Sequence, residues 1–261
     1  MISMSQIWDE SISFIRKEAT LLVPLALATL YIGDVVTTLA QGSATSAQPN
    51  IAATIAMLGG TIWSIVGQLA IVSLVLISGQ SVGEALGHGA ARLGKVLLIA
   101  FIIGIFVALA LTPIAVVAVA NGANPAVPET LQNLPGWLSL ITLVIVGVLI
   151  WLGIRLSLMN ALIVDRNPGV LEALKHGFKL TQGIAARLSL VIILYALVLL
   201  VLGSAVKFVA GSLFSLIGTA LGSDFAAAVL TALVAAIVNS GLALIATVFL
   251  ATLYRAVRDP R

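Results

Sequence analysis

The sequence predicts an all-α integral membrane protein that crosses the bilayer six times. Three observations carry that reading. Of the 261 residues, 61% are hydrophobic and only 9% charged, and the mean hydropathy is +1.19. Soluble domains carry about 25% charged residues and 45–50% apolar ones. Six apolar stretches are long enough to span. Finally, Lys and Arg gather in alternate connections. There is no Cys, so disulfide and thiolate chemistry are excluded.

A spanning helix needs about 20 mostly apolar residues. Those at 19–40, 51–79, 95–120, 137–164, 184–210 and 226–254 qualify. The longer ones imply tilt or extension past the hydrocarbon. Pro49 precedes the second, and Pro113 inside the third implies a kink. The connections 41–50, 121–136 and 211–225 hold Glu129 and Asp224 but no Lys or Arg. The other set holds Arg16 and Lys17; Arg92 and Lys95; Arg166, Lys175, Lys179 and Arg187; and Arg255, Arg258 and Arg261. Eleven of the 13 basic residues thus share one side, and that excess marks it as cytoplasmic. Both termini are expected inside. The first residues, with Asp9 and Glu10 ahead of Arg16, do not read as a cleaved signal peptide. The basic pI reflects this sidedness, not a nucleic-acid surface.

The basic stretches are also amphipathic. Val82-Gly83-Glu84-Ala85-Leu86-Gly87-His88-Gly89 matches Val170-Leu171-Glu172-Ala173-Leu174-Lys175-His176-Gly177 at six positions. In the first copy Val82, Ala85, Leu86, Gly89 and Leu93 share one helical face, and Glu84, His88 and Arg92 the opposite one. In the second, Val170, Ala173, Leu174 and Gly177 oppose Glu172, His176 and Lys179. The N-terminal stretch is a weaker third copy, with Trp8, Ile12 and Ile15 against Asp9, Ser13 and Arg16. Helices of this kind lie in the headgroup plane. The expected architecture is therefore a single membrane domain, 1–261. It has six spanning and about three cytoplasmic interfacial helices in three pseudo-repeats, near 1–80, 81–165 and 166–261.

The stretch Arg155…Asn160…Asp165-Arg166-Asn167-Pro168-Gly169-Val170-Leu171-Glu172-Ala173-Leu174…Leu180-Thr181, with the later Tyr254-Arg255, resembles a bacterial family. These are six-span membrane proteins similar to the membrane domain of glycerophosphodiester phosphodiesterases. The resemblance covers nearly the whole chain and implies the six-span fold and a bacterial inner membrane. It matches only the membrane part, so it carries over no catalytic residue.

Candidate chemistry is sparse. Gly79-Gln80-Ser81-Val82-Gly83 fits the G-x-S-x-G elbow of hydrolases, which requires a strand before the Ser. Ser81 with Glu84 also fits a capping box, the favoured reading. His88 and His176, the only two His, suit a solvated helix face, a pH-sensitive or an interface pair. No Cys or third His completes a metal set around them, although Glu84 and Glu172 could contribute, and no cofactor motif appears. Arg155, Arg92, Lys95, Lys179 and Arg187 are the candidates to bind a ligand or a lipid headgroup. Ten residues separate Arg155 from Asp165, about 15 Å along an unbroken helix. The intramembrane polar residues are Asp34, Gln68, Asn160, Lys207 and Asn239. Asp34 and Lys207 either pair across the bundle or exit separately to the outer headgroups. Ala228, Ala232, Ala236 and Ser240 form a small-residue seam that suits close packing, a protein partner or a second copy.

Three functions follow as expectations. The first is a non-catalytic module that binds membrane lipid or another hydrophobic ligand, or anchors a partner. The second is a small transporter or channel lined by the intramembrane polar residues. The third, an intramembrane enzyme using Ser81 or the His residues, has least behind it. No nucleic-acid partner is indicated.

Overall fold

The computed structural model describes residues 3–44, 50–77, 79–121 and 136–259, and among them every regular element is helical. Glu129 and Arg261, both used to assign sidedness, lie outside the described residues. Helix α1 covers Met4–Lys17, α2 Ala19–Ala26, α3 Ile32–Ala44, α4 Ile51–Leu76 and α5 Val82–Ala120. Then come α6 (Gly136–Leu156), α7 (Met159–Arg166), α8 (Val170–Leu180), α9 (Ala185–Leu221) and α10 (Asp224–Arg258). Six segments are long and apolar enough to cross a membrane: Ala19–Gln41, Ile51–Leu76, Val82–Ala120, Gly136–Arg166, Ala185–Ala220 and Phe225–Arg258. They overlap the six apolar stretches, the third starting at 82 where 95 was expected and the fifth running to 220 where 210 was expected; about 20 residues at 1.5 Å each match the bilayer thickness.

Two spans are not continuous α-helix. In the first, Pro24 lies within α2 and a single π turn, Leu27–Tyr31, joins α2 to α3. The Trp63 indole N–H, from α4, donates to the Ala28 carbonyl of that turn at 2.8 Å. An irregular turn at membrane depth persists when a neighbouring helix satisfies its polar groups. The fourth span breaks at Ser157 and Leu158 into α6 and α7. By contrast, α5 runs through Pro113 without interruption, so the kink expected there does not break the helix.

Helix α5 also corrects the expectation for its first residues. Val82 to Leu93 are not a separate interfacial helix, since α5 is unbroken from Val82 to Ala120. The chain there contains no Pro, no turn residue with positive φ and no cap that would end a helix. Its start is the predicted capping box. Glu84 N–H donates to Ser81 Oγ at 3.3 Å, and Ser81 N–H donates to Glu84 Oε2 at 2.8 Å. Ser81→Ala is expected to cost about 1 kcal/mol. Thermal denaturation in detergent reads this as a lowered midpoint, and an unchanged midpoint would remove the cap from the account.

The second copy, α8, is a separate helix, because the Thr181–Ile184 turn, with Gly183 at φ 90°, precedes α9. Both copies bury the same two positions, Ala85 and Gly89 in one and Ala173 and Gly177 in the other. In α1 the residues buried within the protein are Ile7 and Ser11, while Trp8 is exposed and Ile12 and Ile15 are half-buried. Ser11 tolerates burial because its hydroxyl donates to the Ile7 carbonyl at 2.7 Å. Trp8, 45% exposed, only edges against Phe249, with ring centroids 6.1 Å apart.

Helices α4 and α10 are central. The first packs on α3, α5, α7 and α10, the second on α1, α3, α4 and α9. The main core joins Leu22 and Leu25, the run Leu69–Val75, Ile99, Leu158–Val164 and Val248–Tyr254. A small second cluster, Ala118 and Leu138 with Ile114 and Val117, links α5 to α6. No residue in the most apolar stretch of α9 is buried, as expected of a helix whose outer face meets lipid. Small residues set the closest approaches. A Cβ on Gly60 would lie 2.8 Å from the Gly33 carbonyl, and one on Gly89 2.8 Å from the Val66 carbonyl. On α10, Ala232, Ala236 and Ser240 are buried within the chain and only Ala228 is exposed. The seam is thus consumed by the chain's own packing, which corrects its assignment to a protein partner or a second copy.

Candidate functional site

The functional candidates gather mainly around the α7–α8 hairpin. Asn167, in left-handed geometry at φ 48°, ends α7 and turns the chain toward α8. Such a turn leaves carbonyls without helical partners. Lys95 Nζ supplies them from α5, donating to the Asn167 and Pro168 carbonyls at 3.0 and 3.1 Å. Lys95, a candidate headgroup reader, therefore serves to join α5 to the hairpin.

Just before the turn, Asp165 accepts from two groups of α10. Tyr254 Oη donates to Oδ2 at 2.8 Å, and Arg258 Nη1 donates to Oδ1 at 2.7 Å. Arg258 also donates to Asp259 through Nε and Nη2, at 2.9 and 2.7 Å. Arg166 Nε lies 3.8 Å from Asp165 Oδ2, and Arg255 Nη2 lies 3.9 Å from Glu10 Oε2 of α1. Helices α1, α7 and α10 therefore meet at one end of the bundle, with Lys95 of α5 beside the same turn. Sequence reasoning had not placed Asp165 or Tyr254 among the functional residues. The signal available was a lone carboxylate and a lone phenol at the ends of apolar stretches, facing each other only in three dimensions.

Arg155 is the second centre. Its stretch ends at Leu156, and α8 returns so that its carboxyl end comes alongside. Arg155 Nη1 donates to the Phe178 carbonyl and to Thr181 Oγ1, at 3.4 and 3.5 Å. Its guanidinium carbon sits 5.2 Å from the Trp151 ring centroid, and Trp151 in turn lies 6.0 Å from Phe178. Thus Arg155 stands beside the α8–α9 turn, because the Ser157–Leu158 break ends the rod that sequence spacing assumed. Its Nε is buried without a hydrogen-bond partner, as is that of the half-buried Arg92. Lys179 and Arg187, on either side of the Thr181–Ile184 turn, are exposed, as is Lys175.

The two His residues take local roles. Ser73 Oγ donates to Gln80 Oε1 at 2.7 Å, and Gln80 Nε2 donates to His88 Nδ1 at 2.8 Å. His176 Nδ1 lies 3.0 Å from the Glu172 carbonyl one turn earlier. No hydrogen bond joins His88 to His176 among the described residues. Nor do these hold any group of three His, Cys, Asp or Glu spaced for a metal ion.

Among the described residues, two of the intramembrane polar candidates pair. Asn239 Nδ2 of α10 donates to Asp34 Oδ2 of α3 at 3.1 Å. The partner of Asp34 is thus Asn239. Lys207 is exposed on α9 and forms no ion pair among the described residues. Gln68 and Asn160 are half-buried and separate from this pair. The neutral amide suits a carboxylate at depth, since one charge-assisted hydrogen bond is made without burying a second ion. Comparison of the chain with known protein families, curated proteins and solved structures finds no match.

Proposed function

We propose that this chain is a non-catalytic membrane module that holds anionic lipid at its basic end. Its termini would lie in the cytoplasm and its spans in a bacterial inner membrane. One observation carries the reading. At the basic end the acids Glu10, Asp165 and Asp259 are matched by Arg255 and Arg258. Lys175, Lys179, Arg187, Arg16 and Lys17 remain exposed, and none forms an ion pair among the described residues. Such cations gain about 1 kcal/mol each beside an anionic leaflet. The resemblance of residues 155–181 to a bacterial membrane-domain family supports the same setting.

The shared burial of Ala85 with Ala173, and of Gly89 with Gly177, supports reading 82–93 and 170–181 as copies of one unit. In that unit α8 would lie in the headgroup plane, offering Lys175 and Lys179 to phosphates. A transporter needs a polar route across the bundle, and among the described residues the intramembrane candidates Asp34 and Asn239 meet while Gln68, Asn160 and Lys207 stand apart from them. Ser81 caps α5 and follows helix α4 where a G-x-S-x-G elbow needs a strand, which supports the capping reading.

The test compares phosphatidylglycerol with phosphatidylcholine by native mass spectrometry of the full chain. The wild type is expected to retain phosphatidylglycerol preferentially. The preference should shrink between about 0.05 M and about 0.5 M salt, as screening requires. The triple variant Lys175→Gln, Lys179→Gln, Arg187→Gln should bind it roughly a hundredfold more weakly at the lower salt. Equal retention of both lipids by the wild type would overturn the proposal.

A further inference from the structure

We infer that Arg155 is the seat of one lipid phosphate, whose acyl chain lies along α6; this rests on the lipid-binding reading above. A guanidinium offers five N–H donors. Arg155 makes two contacts, at 3.4 and 3.5 Å, both through Nη1. Hydrogen bonds from a guanidinium to an anion are nearer 2.7–2.9 Å. No carboxylate pairs with it among the described residues. An ion half-buried at the membrane boundary, with its hydrogen bonds long and few, is incompletely compensated. A phosphodiester matches it in charge and in planar, two-pronged geometry.

The surroundings complete the site. The Thr181 hydroxyl stands beside Arg155, and Lys179 and Arg187 flank the same turn. The Trp151 ring, 50% exposed, covers one side of the guanidinium. From there the exposed residues Trp151, Val148, Val144 and Ile141 follow at intervals of three and four. They are one line along α6, which also exposes Leu140, Leu143, Val146 and Ile150, and this line ends at Arg155. From residue 141 to residue 155 the line runs about 21 Å. One leaflet's hydrocarbon is about 15 Å deep. A cation at the end of an apolar line longer than one leaflet's hydrocarbon fits a lipid, whereas a free phosphate would leave that line unused.

Fluorescence of Trp151 tests this directly. The full chain carrying Trp8→Phe, Trp63→Phe and Trp137→Phe keeps Trp151 as its one tryptophan. It is placed in phosphatidylcholine, and phosphatidylglycerol with brominated acyl chains is titrated in. Half-quenching is expected at a low mole fraction, with brominated phosphatidylcholine far less effective. Arg155→Gln should raise the required mole fraction about tenfold. Arg155→Lys keeps the charge but loses the planar fork, so a several-fold rise is expected; it serves as the readout if Arg155→Gln does not fold. Curves for Arg155→Gln or Arg155→Lys that overlay the parent would overturn the seat. Relief of quenching by inorganic phosphate would overturn the lipid assignment in favour of a free-phosphate site. If native mass spectra still show phosphatidylglycerol preference while Trp151 reports none, the seat alone fails. If both preferences are absent, the lipid-binding reading fails with it.

Discussion

Replacing Gly60 by valine is expected to drive α3 away from α4 and to cost about 3 kcal/mol or more. The two helices meet through backbone there. A Cβ at Gly60 would stand 2.6 Å from Thr37 Oγ1 and 2.8 Å from the Gly33 carbonyl oxygen. A hydroxyl can rotate away, but a carbonyl in mid-helix cannot, so the helices must separate. In lipid their attraction comes largely from close packing, since the surrounding chains are as apolar as the interface. Separation also endangers the neighbouring bond from Asn239 to Asp34, because α3 carries Asp34. Gly59→Val is the control: nothing lies within 4 Å of a Cβ at Gly59, on the same helix. Thermal unfolding in detergent should show a large loss for the first variant and little change for the second. Equal midpoints for the two would refute the close approach of α3 and α4.

Asp165→Ala is expected to cost about 2 kcal/mol, with the loss concentrated on Tyr254. The carboxylate is 18% exposed and accepts from both Tyr254 and Arg258. When it is removed, Arg258 keeps Asp259. Tyr254, 1% exposed, keeps no acceptor for its hydroxyl. An unmatched donor in a dry site costs more than the bond contributed. Adding Tyr254→Phe should therefore recover part of the loss. A double-mutant cycle measures that recovery, and simple additivity of the two variants would show that they do not communicate.

The polar partnerships show where sequence reasoning reaches its limit. Asp34 was legible as an ion at membrane depth, since any carboxylate in an apolar stretch is conspicuous. Its choice of Asn239 over Lys207 was not, because that depends on which face α9 and α10 present to α3. Arg155 was legible as a cation near the basic end. Its contacts at Phe178 and Thr181 arise only because the fourth span breaks at Ser157 and α8 returns alongside. Lys95 and Asp165 show the same limit. Spacing placed them at span ends, yet their roles depend on partners 72 and 93 residues away.

What the sequence determined by itself is the number of the spans, the α5 cap and the clustering of charge. Each follows from local properties: about 20 apolar residues bridge a bilayer, and a Ser followed three residues later by a Glu closes a helix start. What only the tertiary structure decided is which face of each helix is covered. That decision consumed Ala232, Ala236 and Ser240 inside the chain, joined residues 82–93 to the third span and set Arg155 beside the α8–α9 turn. Its physical reason is that apolar sequence is nearly uniform in this chain. Hydrophobicity cannot distinguish a face turned to lipid from one turned to another helix. Close approach at glycine and the pairing of a few polar groups make that distinction instead.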